Sequence, residues 1–226
     1  MIDRPSVLVF DVNETLIDIT SLEPIFERML GNRGVLREWF SQLVLYSMTA
    51  TLSDRYVDFF TLGQAVLRMI GDTRHVLITE GDLDELAFGM RTMPAHPDVA
   101  DALSALAGQG YRLVTLTNSP PNPGMPTPLE NAGLAHFFEK QFSVDTWRVF
   151  KPSRELYTGV AEDLGVVASD CMMVAAHVWD TIGAQSAGFR GALITRPGNA
   201  SLPAPGLPQP SLIASDLQEL AALLGH

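Results

Sequence analysis

The sequence predicts an α/β fold: a parallel, doubly wound sheet with a helical segment inserted after the first strand. Three observations predict it. Short apolar runs alternate with segments of helical periodicity over most of the chain. One long region, residues 16–93, shows helical periodicity but no convincing strand pattern. The 226 residues, 46% of them hydrophobic, suffice for one core with a modest insertion.

The first predicted strand is the apolar run at residues 6–10, which is typical of a buried strand in a parallel sheet. The predicted helices cover 24–30, 35–50, 56–70, 83–90, 99–107, 129–132, 153–164, 181–187 and 217–224, and further strands cover 112–116, 171–175 and 191–195. We therefore predict a core domain of residues 1–15 and 94–226 and a helical cap of residues 16–93. The cap would cover the carboxyl ends of the strands, where open α/β sheets bind ligands.

The composition argues against several classes of partner. The net charge of -11 disfavours nucleic acids and anionic membranes. No apolar run reaches the length of a membrane span. The one cysteine, Cys171, cannot form an intramolecular disulfide, which favours a reducing cytoplasm. Because Cys171 begins an apolar run, we interpret it as a buried small side chain and not as a nucleophile.

Polar side chains follow the predicted strands at the edge of the sheet where ligands bind. They are Asp11 after the first strand, Thr117, Asn118 and Ser119 after the second, Lys151 before a helix, and His177 and Asp180 after the strand at 171–175. Each residue alone could be a turn or capping residue or a solvated charge. Because the carboxyl ends of parallel strands meet at one edge, the whole set predicts a functional site.

Four segments carry a resemblance to a known superfamily. VFDVNETL at 9–16, LTNS at 116–119, VFKPSRELY at 149–157 and MVAAHVWDTIGA at 173–184 resemble, in order and spacing, the four motifs of the haloacid dehalogenase (HAD) superfamily. Within it the chain is most similar to the L-2-haloacid dehalogenases, over nearly its whole length. The resemblance implies a HAD-like, Rossmann-like core with a cap, and a cytoplasmic hydrolase that removes halide from short 2-haloalkanoic acids.

A phosphatase acting on a small phosphate ester is one alternative, and a catalytically silent binding protein is another. Phosphatases of the superfamily carry a general-acid aspartate where this chain has Asn13, whose amide cannot donate a proton in that role. Their Mg²⁺ is held partly by an acid at the position of Ala176. We therefore expect no metal and no other cofactor. The remaining histidines lack metal-ligand spacing and are predicted to lie at the surface: His75, His96, His136 and His226.

The resemblance also implies a role for each site residue. Asp11 would displace the halide and form an ester that water then hydrolyses, Lys151 would keep Asp11 ionised, and Asp180 would position Lys151. The implied substrate contacts are the backbone N–H groups of Val12 and Asn13, Thr117 for the carboxylate, Asn118 for the halide, and Trp179 and Tyr157 in the pocket. The family's tendency to dimerise through the cap makes a homodimer the expected assembly.

The chain departs from the family pattern at the halide arginine, which is replaced by Phe40, a residue of the cap core or of an apolar halide cradle. Arg37 lies one turn away and could substitute only if the helix register shifts. Glu14 replaces a glycine, and His177 replaces an asparagine. Because a carboxylate can orient a histidine as a base, we predict that these two residues activate the hydrolytic water. The alternative is that Glu14 caps a helix start and His177 fills the asparagine site.

Overall fold

The computed structural model describes residues 4–121 and 123–225, and within them a six-stranded parallel sheet forms the core. The strands are β1 (Val7–Phe10), β2 (Arg112–Thr117), β3 (Lys140–Ser143), β4 (Cys171–Ala175), β5 (Arg190–Ile194) and β6 (Leu212–Ala214). Their order across the sheet is β3-β2-β1-β4-β5-β6. The central strand β1 is wholly buried, as its four consecutive apolar residues predict. The predicted α/β fold is confirmed.

Helices connect the strands and surround the sheet. They are α1 (Glu23–Leu30), α2 (Val35–Leu52), α3 (Phe59–Thr73), α4 (Glu80–Thr92), α5 (Val99–Gly108), α6 (Pro128–Asn131), α7 (Arg154–Leu164), α8 (Val178–Ser186) and α9 (Leu217–Leu224). The start of α3 lies three residues later than predicted, because the Asp58 carboxylate accepts the N–H groups of Phe60 and Thr61 and caps the helix there. No helix of the described residues is long and apolar enough to cross a membrane.

The helices α1 to α4 form the insertion between β1 and α5. The segments that enter and leave it run side by side: Asp18 N–H donates to the Pro94 carbonyl at 2.8 Å, and His96 N–H donates to the Leu16 carbonyl at 3.0 Å. Inside the insertion, the fully buried Trp39 packs on Phe26 with ring centroids 5.4 Å apart. The insertion thus has its own apolar centre, and the core–cap boundary at residues 16–93 stays a prediction.

Two strands of the sheet were not predicted. In β3, Phe142 alone among the four residues is buried, so the segment lacks the continuous apolar run of a central strand. β6 has three residues and pairs with β5 at the edge of the sheet, directly after a mostly exposed Pro-rich stretch. Both strands are short and lie at the sheet margins, where periodicity is weakest.

Cys171 begins β4 and is free and fully buried. Its complete burial confirms the interpretation of a small buried side chain, and burial raises the pKa of its thiol to about 11. Among the histidines predicted at the surface, His75 and His136 are exposed. The prediction for His226 lies outside the described residues.

Candidate active site

Asp11 lies directly after β1 and is 5% exposed. Its Oδ1 accepts a hydrogen bond from Lys151 Nζ at 2.7 Å, and its Oδ2 accepts one from Thr15 Oγ1 at 2.7 Å. Burial raises the pKa of Asp11, but the Lys151 ammonium and the His177 ring outweigh it and hold the pKa well below its ordinary value. The structure therefore places an ionised, poorly hydrated carboxylate at the predicted nucleophile position.

Lys151 is 1% exposed, and its ammonium is fully satisfied. Its Nζ donates to Asp11 Oδ1, to Asp180 Oδ2 at 2.6 Å and to the Leu116 carbonyl at 3.0 Å, which uses all three N–H groups. Burial lowers the pKa of Lys151, but the two carboxylates raise it above its ordinary value. Lys151 is thus a fixed positive charge beside Asp11, oriented by Asp180 as the sequence predicts.

Tyr157 does not line the pocket, contrary to the sequence prediction. It is fully buried, and its hydroxyl donates to Asp180 Oδ1 at 2.6 Å, on the side of that carboxylate away from Lys151. Because Tyr157 belongs to the buried face of α7, its side chain packs behind the site and supports Asp180 there. Asp180 has a pKa raised by burial against the pull of Lys151, and the tyrosine hydroxyl helps to stabilise its charge.

Glu14 and His177 are in direct contact. His177 Nε2 lies 2.6 Å from Glu14 Oε2, and His177 Nδ1 lies 3.5 Å from Asp11 Oδ2. Nδ1 is buried and has no hydrogen-bond partner among the described residues. Burial lowers the pKa of His177, but the Asp11 and Glu14 carboxylates raise it to about 9. The ring therefore bridges the nucleophile and a second carboxylate; its predicted role as a base stays a prediction.

The backbone of Glu14 is held in a conformation that favours glycine. Its φ of 65° lies in the left-handed region, which costs a side-chain-bearing residue on the order of 1 kcal/mol. The Glu14 N–H donates to the Ile17 carbonyl at 2.9 Å, and the Glu14 carbonyl accepts a hydrogen bond from His96 Nε2 at 3.0 Å. His96 is half-buried, so its predicted surface position is wrong; burial lowers its pKa and favours the neutral ring.

The second carboxylate oxygen of Glu14, Oε1, accepts a hydrogen bond from Arg37 Nη1. Burial raises the pKa of Glu14, but His177 and Arg37 outweigh it and hold the pKa below its ordinary value. Arg37 reaches this position from the first turn of α2 without any change in helix register, because it shares the groove-facing side of that helix with Phe40 and Val44. Arg37 is not among the residues that line the cavity beside Asp11, so the condition for it to replace the halide arginine stays a prediction.

A small inner cavity of about 10 Å³ adjoins Asp11. It is lined by Asp11, Asn13, Phe40, Val44, Phe59, Asn118, His177 and Trp179. A larger outer groove of about 790 Å³ shares four lining residues with it: Phe40, Val44, His177 and Trp179. The His177 ring stacks between Phe40 and Trp179, with ring centroids 5.5 and 5.0 Å apart. Phe40 thus belongs both to the cap core, where it packs on Trp39, and to the cavity wall.

The predicted substrate contacts are only partly brought together. Asn118 lines the inner cavity, and its Oδ1 accepts a hydrogen bond from the backbone N–H of Lys151 at 3.1 Å. The side-chain Nδ2 of Asn118 is therefore the group able to donate to a halide. The side chains of Thr117 and Val12 instead line a separate cavity of about 110 Å³, and the Thr117 hydroxyl accepts from Ser119 N–H at 3.1 Å. The backbone N–H groups of Val12 and Asn13 have no acceptor within the described chain.

Two residues that support the site by hydrogen bonds were not predicted from the sequence. Thr15 donates to Asp11 Oδ2 and accepts the Ala176 N–H at 2.8 Å, so it ties the nucleophile to the end of β4. Arg196 is 6% exposed, donates to the Thr15 carbonyl at 3.0 Å and pairs with Asp98 at 2.7 Å. A hydroxyl four residues after the nucleophile was the available signal for Thr15, whereas no local pattern marks Arg196.

The residues of the site do not fit the Mg²⁺ site of the superfamily's phosphatases. The Lys151 ammonium lies between the two carboxylates that would hold the ion, 2.7 Å from Asp11 and 2.6 Å from Asp180. Ala176 supplies no oxygen ligand from its side chain. Across residues 4–121 and 123–225, no group of three or more His, Cys, Asp or Glu side chains is arranged to hold a metal ion.

Comparison with known proteins gives concordant matches over most of the chain. The sequence model of a family described as haloacid dehalogenase-like hydrolase matches residues 5–188. The (S)-2-haloacid dehalogenase of Xanthobacter autotrophicus is 31% identical over 84% of this chain and 74% of its own length. The (S)-2-haloacid dehalogenase 4A of Burkholderia cepacia is 28% identical over 88% of this chain and 87% of its own.

This chain is also similar in structure to a relative that was solved with a covalently bound ligand. The L-2-haloacid dehalogenase from Xanthobacter autotrophicus, solved with chloropropionic acid covalently bound, superposes with a TM-score of 0.86. It is 27% identical, and the match covers 97% of this chain and 98% of that one. The match therefore spans both the sheet and the inserted helices of this chain.

Proposed function

This chain belongs to the family of haloacid dehalogenase-like hydrolases, and we propose that it hydrolyses short (S)-2-haloalkanoic acids to 2-hydroxy acids. The observation that carries the proposal is the buried, ionised Asp11 held by Lys151, with an amide at Asn13 where a phosphatase needs a general acid. The names of the curated relatives, and the chloropropionic acid bound covalently in a homologous structure, support it.

In the first step, an Asp11 oxygen forms a bond to carbon 2 while the carbon–halogen bond breaks and the halide leaves with the electron pair. Attack from the side opposite the halide inverts carbon 2, so an (S)-2-haloacid yields an (R)-2-hydroxy acid. Lys151 keeps Asp11 ionised, and the unused N–H groups of Val12 and Asn13 are available to the substrate carboxylate. Asn118 Nδ2 is available to the departing halide.

In the second step, His177 acts as a general base on water. Because the Glu14 carboxylate accepts a hydrogen bond from Nε2–H, the neutral ring carries its lone pair on Nδ1, which lies 3.5 Å from Asp11 Oδ2. Nδ1 takes a proton from water as the water oxygen bonds to the aspartyl carbonyl carbon. The tetrahedral intermediate then expels the hydroxy acid, whose oxygen takes that proton. The second water proton passes from the Asp11 carboxyl to His177 Nδ1, which restores the ionised Asp11 and the protonated ring of the resting site.

The first step itself prepares His177 for this role. In the resting site, the Asp11 and Glu14 carboxylates raise the pKa of His177 to about 9, so the ring is protonated at neutral pH. Ester formation removes the negative charge of Asp11. Only Glu14 then stabilises the positive charge of the buried His177 ring, while burial disfavours that charge. The pKa of His177 falls, and the ring releases its proton to water in the outer groove that it lines. The base thus becomes available after the halide has left.

The proposed ester is tested by labelling with H₂¹⁸O. With enzyme in excess over a 2-haloacid, a single turnover should leave ¹⁸O in the peptide containing Asp11 and none in the product, because water attacks the aspartyl carbonyl. Asp11→Asn should release no halide, whereas Asp163→Asn, at an exposed pair with Lys140, should leave the rate unchanged. Label that enters the product in the first turnover would contradict an ester on the enzyme.

We further propose that the protein acts as a homodimer in a reducing cytoplasm. The outer face of α2 carries exposed apolar side chains seven residues apart, Leu45 at 53% and Leu52 at 87% exposed, and burying such a face favours self-association. The free, buried Cys171 needs no oxidising compartment. Light scattering that gives the mass of a monomer at micromolar concentration would contradict the dimer.

A further inference from the structure

Arg37 joins the cap helix α2 to the Glu14–His177 pair and to a loop of the core. Its Nη1 donates to Glu14 Oε1, and its Nη2 donates to the Pro197 carbonyl at 2.9 Å. Gly198 lies against the guanidinium, and a Cβ at that position would come within 3.1 Å of Nη2. The guanidinium is therefore held by two acceptors on a surface that a larger residue would obstruct.

The contact matters because Glu14 is buried and its charge must be balanced throughout the reaction. The Glu14 side chain is 4% exposed, whereas that of Arg37 is 40% exposed and ends in a guanidinium cation. While His177 is protonated, the ring balances Glu14. Once His177 becomes neutral in order to act as a base, Arg37 is the cation that remains in contact with Glu14. Without it, burial would drive Glu14 to take up a proton.

We propose that Arg37 is a positioning residue for ester hydrolysis: it keeps Glu14 ionised and oriented while His177 is neutral. The proposal rests on the proposed function, because it requires an ester on Asp11. It assigns the effect of Arg37 to the second step of the reaction. An arginine in contact with the halide would instead act on the first step, when the carbon–halogen bond breaks.

The two steps are separated by rapid quenching, with halide release and alkylated Asp11 measured in the same samples. With saturating 2-chloropropionate and 2-bromopropionate, so that substrate entry does not limit the rate, Arg37→Met should release the first equivalent of halide at the wild-type rate. Its steady-state turnover should fall about 10- to 100-fold, which is less than the roughly 100- to 10,000-fold contribution of a general base, because Arg37 acts only through Glu14. Alkylated Asp11 should accumulate, and Arg37→Lys should recover part of the turnover because it keeps the charge.

Arg33→Met is the matched control, since Arg33 lies just before α2 and forms an exposed pair with Glu27 at 2.6 Å, away from the site. It should leave both steps unchanged. Slower first-turnover halide release by Arg37→Met, with a larger effect for chloride than for bromide, would overturn the proposal in favour of halide contact. Unchanged steady-state turnover would also overturn it. Wild-type protein that releases no halide would overturn the proposed function itself, and this proposal with it.

Discussion

At the scale of single residues, the site is a chain of buried charges in which each group sets the protonation of the next. Lys151 holds Asp11 ionised, Asp11 and Glu14 hold His177 protonated, and His177 and Arg37 together hold Glu14 ionised. In so dry an environment, a group that loses its partner is costly to leave charged. The proton on His177 is therefore a property of the whole cluster, and ester formation at Asp11 is enough to change it.

The raised pKa of His177 predicts how stability depends on pH. Its folded-state pKa of about 9 exceeds the ordinary value of 6.5, so its stabilisation is fully present below about pH 6.5 and is lost as pH rises through about 9. We expect the difference in unfolding free energy between wild type and His177→Asn to shrink by up to about 3 kcal/mol from pH 7 to pH 10. Urea titrations at each pH measure it.

His136→Asn is the control for this experiment, because His136 is exposed and outside the site. Its difference from wild type should stay constant over the same pH range. A difference for His177→Asn that is equally constant would contradict a raised pKa for this ring.

At the scale of elements, the sequence predicts those features whose signal is local. β1 and β4 are continuous apolar runs, and Asp11 and His177 follow them in recognisable motifs. Strand β3 is not predicted, because exposed residues interrupt the apolar run that marks a buried strand. The position of Thr15 in the site is not predictable for another reason. It depends on a hydrogen bond with a backbone N–H 161 residues away in the chain, and no local pattern encodes such a pairing. The paired segments at residues 16–18 and 94–96 support our proposal that the cap begins and ends there.

At the same scale, helix α8 packs closely against the loop after Lys151, and a single added methyl group should disturb this contact. A Cβ at Gly183 would lie 2.4 Å from Pro152 Cβ and 2.9 Å from the Tyr157 hydroxyl, so α8 would have to move. Because α8 carries Asp180, we expect Gly183→Ala to lower the unfolding free energy by about 1–3 kcal/mol and to slow halide release. Urea unfolding and a halide assay measure the two effects.

Gly81→Ala is the matched control within another helix. Gly81 is exposed on α4, and the nearest atom to an added Cβ, Thr79 Oγ1, is 3.7 Å away. This variant should be neutral or more stable by up to about 1 kcal/mol, because alanine is the better helix former. Equal effects of the two substitutions would contradict a packing constraint at Gly183.

At the scale of the whole molecule, the volumes near Asp11 require motion. The inner cavity of about 10 Å³ is at the lower limit for one water molecule, whereas the outer groove of about 790 Å³ is open to solvent. A haloacid can therefore reach Asp11 only if the wall formed by Phe40, His177 and Trp179 opens. That wall joins cap to core, so we infer that α2 and the loop at residues 197–202 move during entry.

Hydrogen exchange measures this motion. In Asp11→Asn, which should bind but not react, saturating (S)-2-chloropropionate should slow amide exchange in α2 and in residues 197–202, because bound ligand favours the closed arrangement. Peptides from α9 serve as the internal control and should not change. Slower exchange confined to residues 11–14 and 177–180 would contradict an opening of the cap against the core.

The buried thiol of Cys171 makes the chain well suited to following such motion directly. Its high pKa and complete burial at the start of β4 leave the native protein without a reactive thiol. A cysteine introduced on the outer surface of the cap would thus be the single point of attachment for a fluorophore or a spin label. Under native conditions, any slow reaction of Cys171 itself would report the rare opening of the central sheet. Its rate would therefore measure global unfolding without denaturant.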